Sequence, residues 1–294
     1  MARPALSASR SMEILDFLTA FPGRAFTLSE IARAAKINVA SCHAVLNALV
    51  SRGYLSRSAN EKTYALGPAL VAIGQSALKS QPLILRAQEA AQELSRELSL
   101  PVMLTTLVGD EILAVACVSA PSGKSPSMRV GQRMPLVPPI GAPFLAWSSE
   151  TAIEAWITRM APPGDGRFVE GWRRDLALIR KRGYQLTLRT ANSTNIAGIM
   201  ANIASSRRAP DYRTHMIDMI HAVDERLFHP KSIEPKENYL VALIGAPIFD
   251  QNGEAAFCLC LVEFSERISG AKIKAYSDRL AQACLQVMRN DRTA

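Results

Sequence analysis

The chain has 294 residues, a formal net charge of +8, 48% hydrophobic and 20% charged residues. That length suggests about two domains, and the composition supports a large core and excludes wholesale disorder. No apolar run approaches the ~18 residues of a membrane span, residues 1–18 lack the basic-then-apolar order of a signal peptide, and five scattered cysteines (Cys42, Cys117, Cys258, Cys260, Cys284) read as reduced thiols. The expectation is a cytoplasmic protein with no membrane partner, no cofactor and no metal.

Residues 1–80 hold nine basic and four acidic residues, a net +5, leaving +3 for the rest. A basic segment suits a polyanion, whose phosphate contacts release counterions; a merely soluble basic surface is the alternative. Apolar positions between Met12 and Leu18 recur at helical spacing and stop at Pro22-Gly23. Phe26 begins a short extended piece leading into a helix, with Thr27 as N-cap and Glu30 completing a capping box. Lys36-Ile37-Asn38 forms a turn with Ile37 as its apolar plug, and Asn38 or a neighbour caps a third helix from Val39 to about Arg52. Val45, Leu46, Leu49 and Val50 are expected to face inward. Gly53 ends that helix in left-handed conformation, and residues 54–57 and 63–66 read as two short strands around a turn. Helix, helix–turn–helix and hairpin in this order make a winged helix-turn-helix. A helical bundle would share the periodicity but not the row of short polar residues on the third helix.

Several motifs here resemble those of the IclR family of bacterial transcriptional regulators: Ser9 to Leu15, Thr27-Leu28-Ser29-Glu30-Ile31-Ala32, Ser41 to Leu49, Arg52-Gly53-Tyr54-Leu55 and Tyr64-Ala65-Leu66-Gly67. The resemblance implies binding to a double-stranded DNA operator. The outward start of the third helix offers Asn38, Val39, Ala40, Ser41, His43 and Asn47. Asn47 can pair bidentately with adenine, Ser41 suits a phosphate or base edge, and Val39 or Ala40 can touch a thymine methyl. His43 is a base or phosphate contact, or a surface packing residue. Arg57 and Lys62 border the wing as phosphate or minor-groove contacts, or as solvated charges. Relatives often carry Arg where this chain has Ala44.

After Gly67-Pro68, residues 69–78 read as a linker helix bearing Leu70, Val71, Ile73, Ala77 and Leu78, of the kind that joins two DNA-reading domains in a dimer. Pro82 opens an amphipathic helix to about Leu98. Residues 102–108 and 112–118 alternate as a hairpin around Gly109-Asp110-Glu111, residues 127–130 offer a third strand, and 239–249 with 254–264 form another hairpin. A long helix from Ile268 to about Met288 closes the chain. Strands at both ends with helices between imply a mixed α/β sheet domain.

Met128-Arg129-Val130-Gly131, Pro135-Leu136, Arg182-Gly183-Tyr184 and residues 245–253 resemble the effector domain of the same family. The resemblance implies a GAF-like fold with a small-molecule effector held against the sheet and the loop after Pro135-Leu136. On that basis the effector-binding residues are Leu104, Val115, Val130, Val137, Ile140, Gly141, Phe144, Leu243, Gly245, Cys258 and Cys260. The loop 136–144 lacks the His, hydroxyl and Lys of relatives, so an apolar or aromatic effector is expected, with core packing as the other role of this loop. An insert at about 185–238 exceeds the family's usual length; it holds an expected helix at 211–228 and the basic run 206–208. Trp147, Trp156 and Trp172 are expected to pack against the core.

An enzyme is disfavoured. His215 and His221 stand six residues apart, off a single helical face, Cys258 and Cys260 lack Cys-x-x-Cys spacing, and no nucleophile-elbow, Walker or dinucleotide-binding run occurs. The expected whole is an α+β protein: a winged helix-turn-helix at 1–66, a linker at 67–81 and a GAF-like domain at 82–294. It would act as a ligand-responsive repressor, a homodimer or tetramer on a pseudo-palindromic operator. The alternative is a ligand- or protein-binding sensor module with weak or vestigial DNA binding.

Overall fold

A computed structural model describes residues 5–159, 166–189 and 229–291. One compact unit runs through Pro82 and a second begins at Leu83; each is described by itself.

The first unit contains α1 (Leu6–Thr19), β1 (Phe26–Thr27), α2 (Leu28–Ala34), α3 (Val39–Ser51), β2 (Leu55–Arg57), β3 (Thr63–Leu66) and α4 (Ala69–Lys79). The capping box at α2 forms in both directions: the Glu30 amide donates to Thr27 Oγ1 and the Thr27 amide to Glu30 Oε2. Two orphan donors of the first turn are thereby satisfied. Asn38 caps α3 by accepting the Ser41 amide at 2.8 Å, and Ile37 is buried beneath the turn. Along α3, Cys42, Leu46 and Leu49 are buried while Val45 and Val50 are only half-covered. Leu46 and Leu49 thus face inward as expected, while Val45 and Val50 flank the stripe, which continues to Cys42, a thiol acting as a small hydrophobe.

β1, β3 and β2 form a small antiparallel sheet in that order. Gly53, with φ +71°, closes α3, and the wing's exit then folds back on it: Gly67 N–H donates to the Tyr54 carbonyl at 2.7 Å and Ala69 N–H to the Gly53 carbonyl at 3.1 Å. A Cβ on Gly67 would sit 2.2 Å from the Gly53 oxygen, so only glycine allows this approach. No side chain of α4 is buried; Val71 and Ile73 lie in solvent within this unit.

The second unit is a six-stranded antiparallel sheet between two helical layers. In chain order it comprises α5 (Pro82–Leu98), β4 (Val102–Val108), β5 (Glu111–Val118), β6 (Arg133–Pro135), α6 (Ala142–Leu145), α7 (Glu150–Ile157), α8 (Gly166–Arg182), β7 (Gln185–Leu188), β8 (Asn238–Tyr239), β9 (Val241–Phe249), β10 (Ala255–Val262), β11 (Ile268–Ser269) and α9 (Gly270–Asp291). The strand order is β6-β5-β4-β10-β9-β7, so the two hairpins meet at the β4–β10 seam. β8 and β11 form a separate pair. Because side chains alternate across a sheet, Leu104, Ile244, Leu259 and Leu261 pack under Ala91 and Leu94 of α5 and Ile273 and Leu280 of α9. Met103, Cys258 and Cys260 face Phe144, Trp156, Trp172 and Leu176 of α6–α8.

Three expectations change. The third strand is Arg133–Pro135, not 127–130: Gln132 turns its side chain to accept the Arg129 amide, Gly131 takes φ +83°, and backbone bonds to β5 start only at Gly131 and Gln132, which both bond Ala114. Ile268 and Ser269 pair with β8 before the last helix starts. Trp156 and Trp172 are core residues, but Trp147 is 37% exposed, edge-on to Phe249. Within 185–238, residues 185–188 are the edge strand β7. The helix at 211–228 and the basic run 206–208 lie outside the described residues.

Past that stretch, residues 229–231 are pinned back onto the unit. His229 Nδ1 lies 2.9 Å from the Leu186 carbonyl, and Arg182 donates to the carbonyls of Pro230 and Lys231. Burial, aided by the nearby Arg182 charge, pushes the His229 pKa down from 6.5 to about 4 despite the hydrogen bond to Leu186. Asp175 at 4.0 Å does not reverse it. The native state thus holds a neutral imidazole, and the unfolded chain takes up a proton that the fold refuses. Stability contributed at neutral pH is lost as pH falls from about 6.5 toward 4, by roughly 2 kcal/mol at pH 5. Urea unfolding at pH 7 and pH 5 should show this slope in the wild type and a flatter one in His229→Gln; equal slopes would refute the assignment.

Candidate functional site

The face of α3 opposite its buried stripe is open. Val39 is 54% exposed, and Ala40, His43 and Asn47 are exposed beside it, while Ser41 is half-buried. Asn38 is exposed, but its Oδ1 is engaged by the Ser41 amide, so its carboxamide offers donors more readily than an acceptor. His43 Nε2 and Asn47 Nδ2 lie 3.4 Å apart across one helical turn, a contact at the outer limit of a hydrogen bond. Among residues 39–51 there is no Lys or Arg, so this face presents hydrogen-bonding groups and methyls without a cation.

The cations stand around it, on the wing. Arg57 is exposed with its guanidinium 5.7 Å from the Tyr64 ring centroid, which supports the side chain from below. Lys62 is exposed at the hairpin tip with φ +53°. Glu61 stands next to it and accepts from Thr63, which reduces the local positive potential. Ser58 N–H donates to the Thr63 carbonyl and closes the hairpin.

In the second unit a cavity of about 270 Å³ lies between the sheet and the loop before α6. Its roof is Pro139, Ile140, Gly141, Pro143 and Phe144. That loop is tied from outside: Trp156 Nε1 donates to the Ile140 carbonyl at 3.0 Å and Arg159 to the Leu136 carbonyl at 2.8 Å. Gly141 (φ +85°) lets the chain pass over Leu136, whose Cδ1 would lie 2.2 Å from a Cβ there. The floor is Met103, Thr105, Ile112, Leu243, Cys258 and Cys260, and Met128 and Met134 close one wall.

One end is polar. Gln185 and Thr187 of β7 are buried and joined by a 3.2 Å hydrogen bond, and Arg189 follows them into the lining. Across from them stand Ser127 and Glu263. Glu263 has φ +58°, accepts the Ser127 amide at 3.2 Å on its carboxylate and receives the Lys124 ammonium on its carbonyl. Strained backbone of this kind concentrates at ligand sites.

Of the expected lining, Ile140, Gly141, Phe144, Leu243, Cys258 and Cys260 are brought together. Leu104 and Val115 face the opposite side of the sheet, into the α5–α9 core. Val130 is 50% exposed because it precedes the turn into β6. Val137 is buried in packing just outside the cavity, and Gly245 lies beside the cysteines without lining it. The loop 136–144 brings no cation to the cavity; Arg189 does, one residue past the edge strand β7 that lies within the expected insert at about 185–238. Alternation along β4, counted from Leu104, would have found Met103 and Thr105.

The neighbouring Cys260 and burial hold the Cys258 thiol well above its ordinary 9.0, burial raises Cys284 likewise, and burial lifts Cys117 to about 11. Among the described residues no helix is long and apolar enough to cross a membrane.

Comparison with known proteins accounts for both units. Residues 7–59 match the family model described as the IclR helix-turn-helix domain. Residues 75–206 match that of the bacterial transcriptional regulator IclR C-terminal domain. The Pca regulon regulatory protein of Pseudomonas putida is 28% identical over 138 residues, 46% of this chain and 47% of that protein, so the match spans about half of each. An IclR transcriptional regulator from Alicyclobacillus acidocaldarius superposes with a TM-score of 0.70 at 17% identity, covering 98% of this chain and all of that one. An IclR homologue from Microbacterium hydrocarbonoxydans, solved with 4-hydroxybenzoate, gives 0.67 at 19%, covering 98% and 100%. The chain therefore belongs to the IclR family of bacterial transcriptional regulators, which are DNA-binding proteins and not enzymes.

Proposed function

We propose that the protein is a repressor that binds a pseudo-palindromic operator as a dimer and is controlled by a small aromatic acid in the cavity of its second unit. The observation that carries the DNA half is the open face of α3, where Val39, Ala40, His43 and Asn47 stand exposed over the buried Cys42, Leu46 and Leu49. Ser41 and Asn47 read base edges, Val39 and Ala40 touch thymine methyls, and Arg57 and Lys62 hold phosphates. Asn38 chiefly caps the helix. The bare apolar side of α4 supports pairing of two copies, as reading two half-sites requires.

The effector half rests on the shape and polarity of the cavity. At about 270 Å³ it falls just below the ~300–1,000 Å³ range of ordinary ligand pockets, which suits one ring and not a steroid or long acyl chain. Methionine and cysteine sulfurs suit an aromatic face, and Arg189 with Gln185 and Thr187 suits a carboxylate or hydroxyl at the other end. The 4-hydroxybenzoate complex of one structural relative supports this class.

Gel-shift and anisotropy titrations with the DNA upstream of the gene and its neighbours should show salt-dependent, site-preferring binding. Ser41→Ala and Asn47→Ala should each cost about 5- to 100-fold at the preferred site and little on random DNA. Arg57→Ala should weaken binding to all sequences and lower the salt slope by about one. Equal loss on preferred and random DNA in the α3 variants would instead favour a sensor with vestigial DNA contact.

Thermal-shift screening should favour hydroxylated benzoates over glyoxylate-like anions. Arg189→Gln should lower affinity for the acid about 10- to 100-fold while leaving a neutral ring analogue nearly unchanged. Stabilisation by small anions alone would rule out the aromatic class.

A further inference from the structure

Two thiols and the side chain of Met103 line the floor of the cavity. Cys258 and Cys260 lie two residues apart on β10, so both project from the same face of the sheet. Their Sγ atoms are 3.6 Å apart, and both thiols are buried and free. Met103 is the direct partner of Cys260 in the β4–β10 ladder, where paired Cβ atoms lie about 4.5–5.5 Å apart. It lines the same cavity. On the other flank, Cys260 pairs with Gly245 of β9. A Cβ at that position would stand 3.3 Å from the Cys260 sulfur and 3.4 Å from that of Cys258, so the glycine leaves the pair unobstructed. Met128 and Met134 bring two further thioethers to the wall.

We propose that Cys258, Cys260 and Met103 form a binding site for monovalent copper at the floor of the cavity. Thiolate and thioether sulfur are the ligands that select this soft ion. A trigonal centre with metal–sulfur bonds of about 2.3 Å separates its sulfurs by about 4 Å, so the observed thiol spacing needs only a small opening. Zinc prefers four ligands, and among the described residues no group of three His, Cys, Asp or Glu is arranged to hold a metal. On binding, each thiol releases its proton to solvent and forms a copper–sulfur bond, while Met103 donates a lone pair. No electron is transferred. Two thiolates and one Cu⁺ leave a single negative charge, in a cavity whose lining includes both Arg189 and Glu263. This site goes beyond the regulator reading and can be measured whether or not DNA is bound.

The reduced full-length protein would be titrated anaerobically with Cu(I) against bathocuproine disulfonate and the loaded form examined by X-ray absorption. The expected result is one ion per chain in a shell of three sulfurs. Cys258→Ser and Cys260→Ser should each weaken binding by at least about 100-fold, more than disturbing an outer-shell partner does. Met103→Leu, which preserves core volume, should reduce the shell to two sulfurs. No uptake against the competitor, nitrogen or oxygen in the shell, or undiminished affinity in the Cys258→Ser/Cys260→Ser double variant would overturn the proposal. Should the serine variants fail to fold, as judged by circular dichroism, Met103→Leu decides: a retained three-sulfur shell overturns it.

Discussion

Side chains alternate along β4 and β10, and this alternation divides the second unit into one side packed with α5 and α9 and another that packs with α6–α8 around a cavity. Leu104, Leu259 and Leu261 point into a continuous apolar core with α5 and α9. Their neighbours Met103, Thr105, Cys258 and Cys260 point the other way, toward a roof that does not settle onto them. The roof stays up because its carbonyls are claimed elsewhere: Trp156 and Arg159 hold Ile140 and Leu136 from the outer layer. A buried carbonyl that lost such a partner would cost about 1–3 kcal/mol, so collapse of the loop into the cavity is opposed by hydrogen bonding as well as by shape.

The first unit is built on a different economy, in which short polar side chains close helix ends and leave one face bare. Thr27, Glu30 and Asn38 satisfy the first turns of α2 and α3. Those caps aim α3 so that Cys42, Leu46 and Leu49 reach the core and the intervening positions do not. The absence of a cation from α3 separates the two tasks of a DNA-reading domain. Uncharged hydrogen-bonding groups and methyls lie on the helix, and the exposed cations Arg57 and Lys62 lie on the wing.

Local patterns made much of this legible in the sequence. The Thr27–Glu30 box, the Asn38 cap, the left-handed Gly53 and the wing strands follow from nearest-neighbour chemistry, and each stands within a residue or two of its expected place. The cavity was legible only in outline. Leu104 and Val115 were expected in it because apolar character marks burial but does not say which face of a sheet a residue covers. Arg189 was missed because no periodic signal separates an edge strand from the insert that follows it. Val130 was misplaced since the Gln132 side-chain turn, a contact with no pattern of its own, delays β6 until Arg133.

The close passage of Gly67 over the end of α3 has a mechanical meaning. Its amide and that of Ala69 end on carbonyls of Tyr54 and Gly53, so the last turn of α3 and the first turn of α4 share one hydrogen-bonded joint. No side chain separates the two backbones at Gly67, where a Cβ would stand 2.2 Å from the Gly53 oxygen, so any larger residue there would lever the wing's exit off the end of α3.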